Sequence, residues 1–543
     1  MTILEHKMTF NRQVEPHILG EVPCLYRGPG GAIAVLKDGE LIDQHVWGYA
    51  DINRRIPMTS DTLMPICSIT KQMLCMTMTD LERNPTPQTA ELGDVTEKFA
   101  EKLQSILPQQ LQQESGLTLN HLRDNQSGIR DYWATSTLLG ALPERQFSRE
   151  TDARAVLDRF ATLQFQPGAQ YSYSNTNFHV LGRVLEEVTS TPLEKLLAQH
   201  VFTPAGMKTA RLCAKTGDHP EPCVGYEGDE QHGFFPASNA IEWAGDAGVV
   251  ASLADMVAYE KYFDRLWSDP QSWYRPCAES QKFNNGNPAR YRSGLFHVDV
   301  EGVATVGHGG ALRGYRLHRM YAPQERLSVV VLFNHEADAG DAAEYILRKI
   351  LTLPEPEAST VDPDPQWLGN FLDRDTQLAV TVSPGKNGKL AVNFTGDAED
   401  VRPISGIRAL SRGMVAAINW EHLSINRTED NLIVHADRLF PPNLGLQSAP
   451  FLGDYRCAEL DSVFHCEGKG EMLYGAFDGI LGQGPAHLMR YLGGDVWALA
   501  CPRGLDAPAP GNWTLVFGRD EDDSVRSVTI GCWLARKFEF VRI

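Results

Sequence analysis

The sequence predicts two architectures in series: an α/β (or α+β) body over the first ~350 residues, then an all-β half built as two small antiparallel barrels. Three observations carry this. Helical and strand-like periodicities alternate up to about residue 350. A proline-rich acidic stretch, LPEPEASTVDPDP at 353–365, interrupts the chain and reads as a stiff, solvated linker. Beyond it the patterns are short and alternating, with Gly and Asn turns, as strands require.

Taken in order, Gly31–Lys37 is an apolar strand, Asp38-Gly39 a hairpin turn and Glu40–Ala50 a returning strand. Met73–Leu81 and Phe178–Val188 have helical spacing. Arg326–Asn334 reads as a buried strand and Ala339–Leu351 as a closing helix, so N- and C-terminal strands can share one sheet. In the β half, Trp367-Leu368-Gly369-Asn370-Phe371 returns 84 residues later as Phe451-Leu452-Gly453-Asp454-Tyr455. Each copy precedes an alternating strand and a Gly-Lys turn, PGKNGK and EGKGE, as expected of two β units of about 90 residues. The expected boundaries are 1–353 for the body, 354–365 for the linker, and 366–449 and 450–543 for the barrels.

Composition narrows the function. The 543 residues are 42% hydrophobic and 22% charged, a globular balance. A net charge of -19 disfavours nucleic acid and anionic membrane as partners. No apolar run reaches the ~20 residues a bilayer demands. The N-terminus, MTILEHKMTFNRQVEP, lacks the apolar core of a signal peptide, so a cytoplasmic location is expected. Ten scattered cysteines form no zinc spacing and read as free buried thiols; no metal or cofactor is expected.

Three short elements carry chemistry. In Ser68-Ile69-Thr70-Lys71 at a helix start, the two side chains share a face, and a desolvated lysine amine can take the serine proton. Alone, Ser68 also reads as a plain helix cap. A second Ser-x-x-Lys, Ser383 to Lys386, sits in a Pro-Gly turn that aligns nothing. Tyr173-Ser174-Asn175 offers a phenolate-like hydroxyl as a proton relay and an amide for substrate, or simply a turn before a helix. His308-Gly309-Gly310 lets a strand backbone approach closely, and the N–H groups of Ser68 and Ala311 can then form an oxyanion hole.

In order and spacing these elements resemble the serine β-lactamase and penicillin-binding-protein superfamily. Gly48-Tyr49-Ala50-Asp51, Asn125-Gln126-Ser127-Gly128-Ile129 and Gly245-Asp246-Ala247-Gly248 resemble its other segments, with Asn125 where the superfamily has histidine. His308-Gly309-Gly310 replaces the Lys-Thr-Gly of β-lactamases, as in the esterase and peptidase branches. The stretches MPICSITKQ, NQSGIRDYW, YSYSNTNF, GHGGALRGYR, YGAFDGILG, DAPAPGNW and GCWLAR are similar to the bacterial D-stereospecific aminopeptidases.

That resemblance implies a penicillin-recognising catalytic domain followed by two antiparallel β-barrels. It implies release of N-terminal D-amino acids from amides, esters and short peptides through an acyl-enzyme. Ser68, Lys71, Tyr173 and His308 would be catalytic, and Asn175 would orient substrate. A loop of the last domain, 502–512, would limit substrate size, with Asp506 meeting the substrate amine. A homodimer follows from the family alone. The alternatives are an esterase, D,D-carboxypeptidase or β-lactamase-like hydrolase of the same superfamily, or a catalytically inactive ligand-binding receptor.

Overall fold

A computed structural model of the chain describes residues 17–113, 116–354, 359, 361–394, 396, 398–441, 448–470, 472–501, 504–507 and 511–543. The signal-peptide reading of the first residues, and parts of the expected linker and of loop 502–512, therefore lie outside the described residues.

The body is built on one antiparallel sheet. Its strands are β1 (Gly30–Lys37), β2 (Glu40–Asp51), β3 (Ile56–Pro57), β4 (Tyr291–Arg292), β5 (Leu295–Val300), β6 (Val303–Leu312), β7 (Tyr315–Ala322) and β8 (Leu327–Phe333). They run in the order β4-β5-β6-β7-β8-β1-β2-β3. The predicted hairpin is present, with Asp38 and Gly39 at φ 53° and 73°, the pair of positive angles a type I′ turn requires. The first and last strands of the body meet at the sheet centre, with Ile33 opposite Val331. Both are covered on two faces, which explains their unbroken apolar runs. Ile33, Val35, Val329 and Val331 pack under the helix Ala339–Leu351. Ala32, Ala34, Val330 and Leu332 face the main core.

Helix α1 (Thr70–Arg83) lies inside that core, buried from Thr70 to Thr79. Helix α2 (Tyr132–Leu138) and helix α3 (Asn175–Thr189) pack on the same core. Helix α3 starts three residues earlier than its apolar spacing predicts. The Asp131 carboxylate accepts the Asn175 N–H at 2.6 Å, a cap supplied from a distant segment that local pattern does not reveal.

Gly369–Arg438 forms a closed barrel of eight strands. Gly453–Arg542 forms a second ring, closed where Ser462–Lys469 pairs with Met472–Gly479, with a short ninth strand, Gly482–Gln483, appended. The internal repeat has a structural counterpart. Trp367 and Phe451 each end a 3-10 turn that leads into the first strand of a barrel. The last strand returns an arginine to each turn. Arg438 bonds the Gln366 and Leu368 carbonyls and lies over Phe371; Arg542 bonds those of Pro450 and Leu452 and lies over Tyr455. Gly369 and Gly453, at φ 147° and 143°, leave room for these guanidinium groups.

All ten cysteines are free. Six are buried; Cys24 is exposed and Cys213, Cys223 and Cys277 are partly exposed, so the expected burial holds only in part. Among the described residues, no helix is long and apolar enough to cross a membrane.

The arginine clamp yields a measurable expectation. Arg542→Ala loses carbonyl hydrogen bonds and a ring contact, and should destabilise the last barrel by about 1–3 kcal/mol in a denaturant titration. An unchanged midpoint would show that barrel closure does not depend on the clamp.

Candidate active site

Ser68 sits in a 3-10 turn, Cys67–Ile69, immediately before α1. Cys67 holds φ at 50°, a left-handed angle that costs a non-glycine residue about 1 kcal/mol. The cap position of α1 is Ile69, with no side-chain cap bond, so the Ser68 hydroxyl is not spent on capping. It accepts instead from Lys71 Nζ at 2.9 Å. The same amine donates to Asn175 Oδ1 at 2.8 Å and to the Asp246 carbonyl at 2.7 Å. Lys71 is fully buried. Burial lowers its pKa to about 8 against the opposing pull of Asp246, Asp131 and Asp506.

Tyr173 lies 4.9 Å from the Lys71 amine by its ring centre and shares a hydrogen bond with Ser68. Burial raises its pKa well above the ordinary value, only partly offset by that bond. The hydroxyl is therefore a neutral phenol at physiological pH, not the phenolate-like group the sequence suggested.

His308, on β6, has both ring nitrogens engaged: Nε2 meets the Tyr291 hydroxyl at 3.0 Å and Nδ1 the Gly309 carbonyl at 2.5 Å. Burial and the nearby Lys71 lower its pKa to about 3, so the ring is neutral. It packs near Tyr173, centroids 6.0 Å apart. Gly310 serves a closer approach than expected, to the turn that carries Ser68. A Cβ there would fall 2.4 Å from the Ile66 carbonyl. Ser68 and Ala311 thereby line one cavity.

That cavity has a volume of about 420 Å³. Trp133, Ala134, Phe296, Leu317 and Leu534 give it apolar walls. Asp506 lines it from the last barrel, its carbonyl accepting the Arg313 N–H at 2.9 Å. Burial, with repulsion from Asp131 and Asp246, pushes the Asp506 pKa up to about 7. Arg316 also lines the cavity, but its guanidinium is held by Glu336 at 3.1 Å and by the Leu312 and Tyr315 carbonyls.

The structure thus brings Ser68, Lys71, Tyr173, Asn175, His308, Ala311 and Asp506 together. Ser383, the second Ser-x-x-Lys serine, is exposed on a strand of the first barrel. Three site residues escaped the sequence reading. Asp131 and Asp246 stand inside motif stretches, but nothing local shows that they face Lys71. Tyr291 carries no motif, and only the sheet places it against His308. Asn125, at the superfamily's histidine position, accepts from the Ser174 N–H and from Asn177 Nδ2.

The beta-lactamase family profile matches residues 16–352. The chain belongs to that family. A second profile, D-aminopeptidase domain B, matches residues 360–541. The chain is similar over nearly its whole length to proteins named D-aminopeptidase. That of Cereibacter sphaeroides is 41% identical over 538 residues, covering 99% of this chain and 100% of the relative. That of Brucella anthropi is 38% identical over 522 residues, covering 96% and 97%. Among solved structures, the octameric penicillin-binding protein homologue from Pyrococcus abyssi superposes with a TM-score of 0.51. It is 21% identical and covers 77% of this chain and 98% of its own, which shows a shared fold.

A serine-reactive acylating reagent should label the wild-type chain at Ser68. Ser68→Ala should abolish labelling and leave the melting temperature near wild type, while Ser383→Ala should label normally. Mass spectrometry of the tryptic peptides reads both. An adduct at Ser383 would overturn the choice of serine.

Proposed function

We propose that this chain is a D-stereospecific aminopeptidase that releases N-terminal D-amino acids from amides, esters and short peptides through an acyl-enzyme on Ser68. The observation that carries the reading is the cavity lined by both Ser68 and Asp506. A hydrolase selecting free amines needs a nucleophile and an ammonium acceptor in one enclosed space.

Lys71 is the base of acylation. Its amine is lowered to about 8, whereas Tyr173 is raised. The Ser68 Oγ attacks the carbonyl carbon and its proton passes to Lys71 Nζ. The N–H groups of Ser68 and Ala311 hold the oxyanion. The tetrahedral adduct collapses, and the leaving amine takes a proton relayed through the Tyr173 hydroxyl. Water then attacks the ester, with the same groups returning the proton. His308, neutral and held by Tyr291, keeps Tyr173 in place by packing. Asn175 orients substrate and the lysine.

In this division of labour, residues 1–353 supply the chemistry. The linker 354–365 and the barrel 366–449 join it to the barrel 450–543, whose loop 502–512 covers the cleft and limits substrate size. A carboxypeptidase needs a cationic anchor; Arg316 is already neutralised by Glu336, while Asp506 offers a carboxyl group that becomes anionic above about pH 7. A cytoplasmic location accords with ten unpaired thiols. A homodimer accords with the family, and sedimentation analysis tests it.

Lys71→Arg keeps the charge but cannot give up its proton, so kcat/KM should fall by about a thousandfold or more. Retained activity would move the base role to Tyr173.

The pH profile separates the remaining roles. Asp506 must be ionised to hold an ammonium, and Lys71 must be neutral to accept a proton. For a D-amino acid amide, kcat/KM should therefore rise through about 7, and the gain from neutral Lys71 through about 8 should be offset as the substrate amine loses its proton at about 7.7–8. The N-acetylated amide should keep only the upper limb. Asp506→Asn should lose the lower limb and about ten- to a hundredfold of the preference for the free amine. Equal rates on free and N-acetylated substrates in the wild type would favour an esterase or carboxypeptidase.

A further inference from the structure

Asn175 presents an oxygen to Lys71, although an amide can present either end. The choice is made one bond further away. Three N–H donors converge on the buried carboxylate of Asp131. Ala134 N–H approaches Oδ1 at 2.9 Å; Asn175 N–H and Asn175 Nδ2 approach Oδ2 at 2.6 and 2.9 Å. A carboxylate only accepts, so the amide nitrogen of Asn175 must turn towards it. The amide oxygen is then left for Lys71 Nζ.

We propose that Asp131 is the positioning residue that locks the Asn175 amide so that the catalytic lysine always meets an acceptor. This rests on the roles proposed above for Ser68 and Lys71.

The flipped amide would fail in both protonation states of the lysine. It would set an N–H against the ammonium. It would also donate to the lone pair of the free amine, the pair that must take the Ser68 proton. Asparagine at 131 could not substitute, because its single acceptor atom cannot serve donors on both sides. Asp131 is itself anchored at both ends of its role. It caps α2, and its own N–H donates to the Leu534 carbonyl at 3.0 Å, on the turn between the last two strands of the chain. The orientation of the catalytic amide is thereby tied to the docking of the last barrel.

The test uses the full chain and the acylation of Ser68 by a D-amino acid ester, followed from pH 5 to 10 by rapid quench. Groups facing Lys71 are Ser68, Tyr173, Asn175, Asp246, Asp131, Asp506, Cys67 and His308. Asp131→Ser keeps a good cap for α2 but is too short to hold Asn175. The chain should still fold, with a melting temperature a few degrees lower because the Asn175 N–H at the start of α3 loses its acceptor. Its acid limb should move below the wild-type value of about 8, because a negative neighbour is gone. Above that limb, the plateau acylation rate should fall by about ten- to a hundredfold, because the acceptor is no longer held. Loss of charge alone would move the limb and leave the plateau intact. A plateau within threefold of wild type in a folded variant therefore overturns the proposal. Should Asp131→Ser fail to fold, the isosteric Asp131→Asn carries the same two readouts, with a tenfold or larger plateau loss expected. If the wild type forms no adduct at Ser68, the nucleophile assignment and this inference fall together. If the wild type is labelled and the variants match its plateau, only this inference falls.

Discussion

The candidate site depends on burying one amine without leaving it unpaired. Lys71 has no exposure to water, which makes its charge costly and lowers its pKa to about 8. A buried amine without partners would be disordered and destabilising. Here it has three acceptors: the Ser68 hydroxyl, the Asn175 amide and the Asp246 carbonyl. They come from the turn before α1, the start of α3 and the turn before the strand Val249–Ala251. Much of the body serves to make these three points coincide.

The barrels contribute to that convergence. The last barrel shares the main core with the body, whereas the first has a core of its own that also receives Trp533 of the last. The last barrel docks backbone to backbone: Leu481 N–H donates to the Leu139 carbonyl at 3.0 Å, and a Cβ on Gly140 would fall 2.1 Å from the Gly482 carbonyl. Arg130 lies over Phe538 and donates to the Arg536 carbonyl at 3.0 Å. On the other side, the first barrel holds the approach to Tyr173. The Tyr171 N–H donates to the Asp430 carbonyl at 3.0 Å, and Asn431 Nδ2 to that of Ala169 at 2.7 Å. From the last barrel, the Trp533 carbonyl accepts from the Ser172 hydroxyl at 3.4 Å, so the segment carrying Tyr173 is held from both barrels. The YGAFDGILG stretch serves this docking, and GCWLAR serves both the docking and the cavity wall, through Leu534.

The electrostatics of the cavity follow from the same burial. Asp131, Asp246 and Asp506 oppose the desolvation of Lys71 and repel one another. Asp131 and Asp246 are stabilised by fixed donors, the N–H groups of Ala134 and Asn175 for one, the Tyr132 hydroxyl at 2.7 Å for the other. Burial raises the pKa of Asp131 despite these donors and pushes that of Asp506 up to about 7. A cation entering the cavity would relieve that repulsion.

The sequence by itself determined the layers, the pairing of Ser68 with Lys71 and the repeat. Those properties are written in periodicity, turn chemistry and side-chain spacing, all of which act over a few residues. The hairpin at Asp38-Gly39, the closing helix Ala339–Leu351 and the Ser68–Lys71 pair are of this kind. The start of α3, the partners of His308 and the placing of Asp131 and Asp246 were decided only by the tertiary structure. Each depends on a hydrogen bond between segments far apart in the chain, such as Asp131 to Asn175 or Tyr291 to His308. No local pattern encodes such a bond. Its donor and acceptor meet because burial removes water as the competing partner, and burial is a property of the assembled fold.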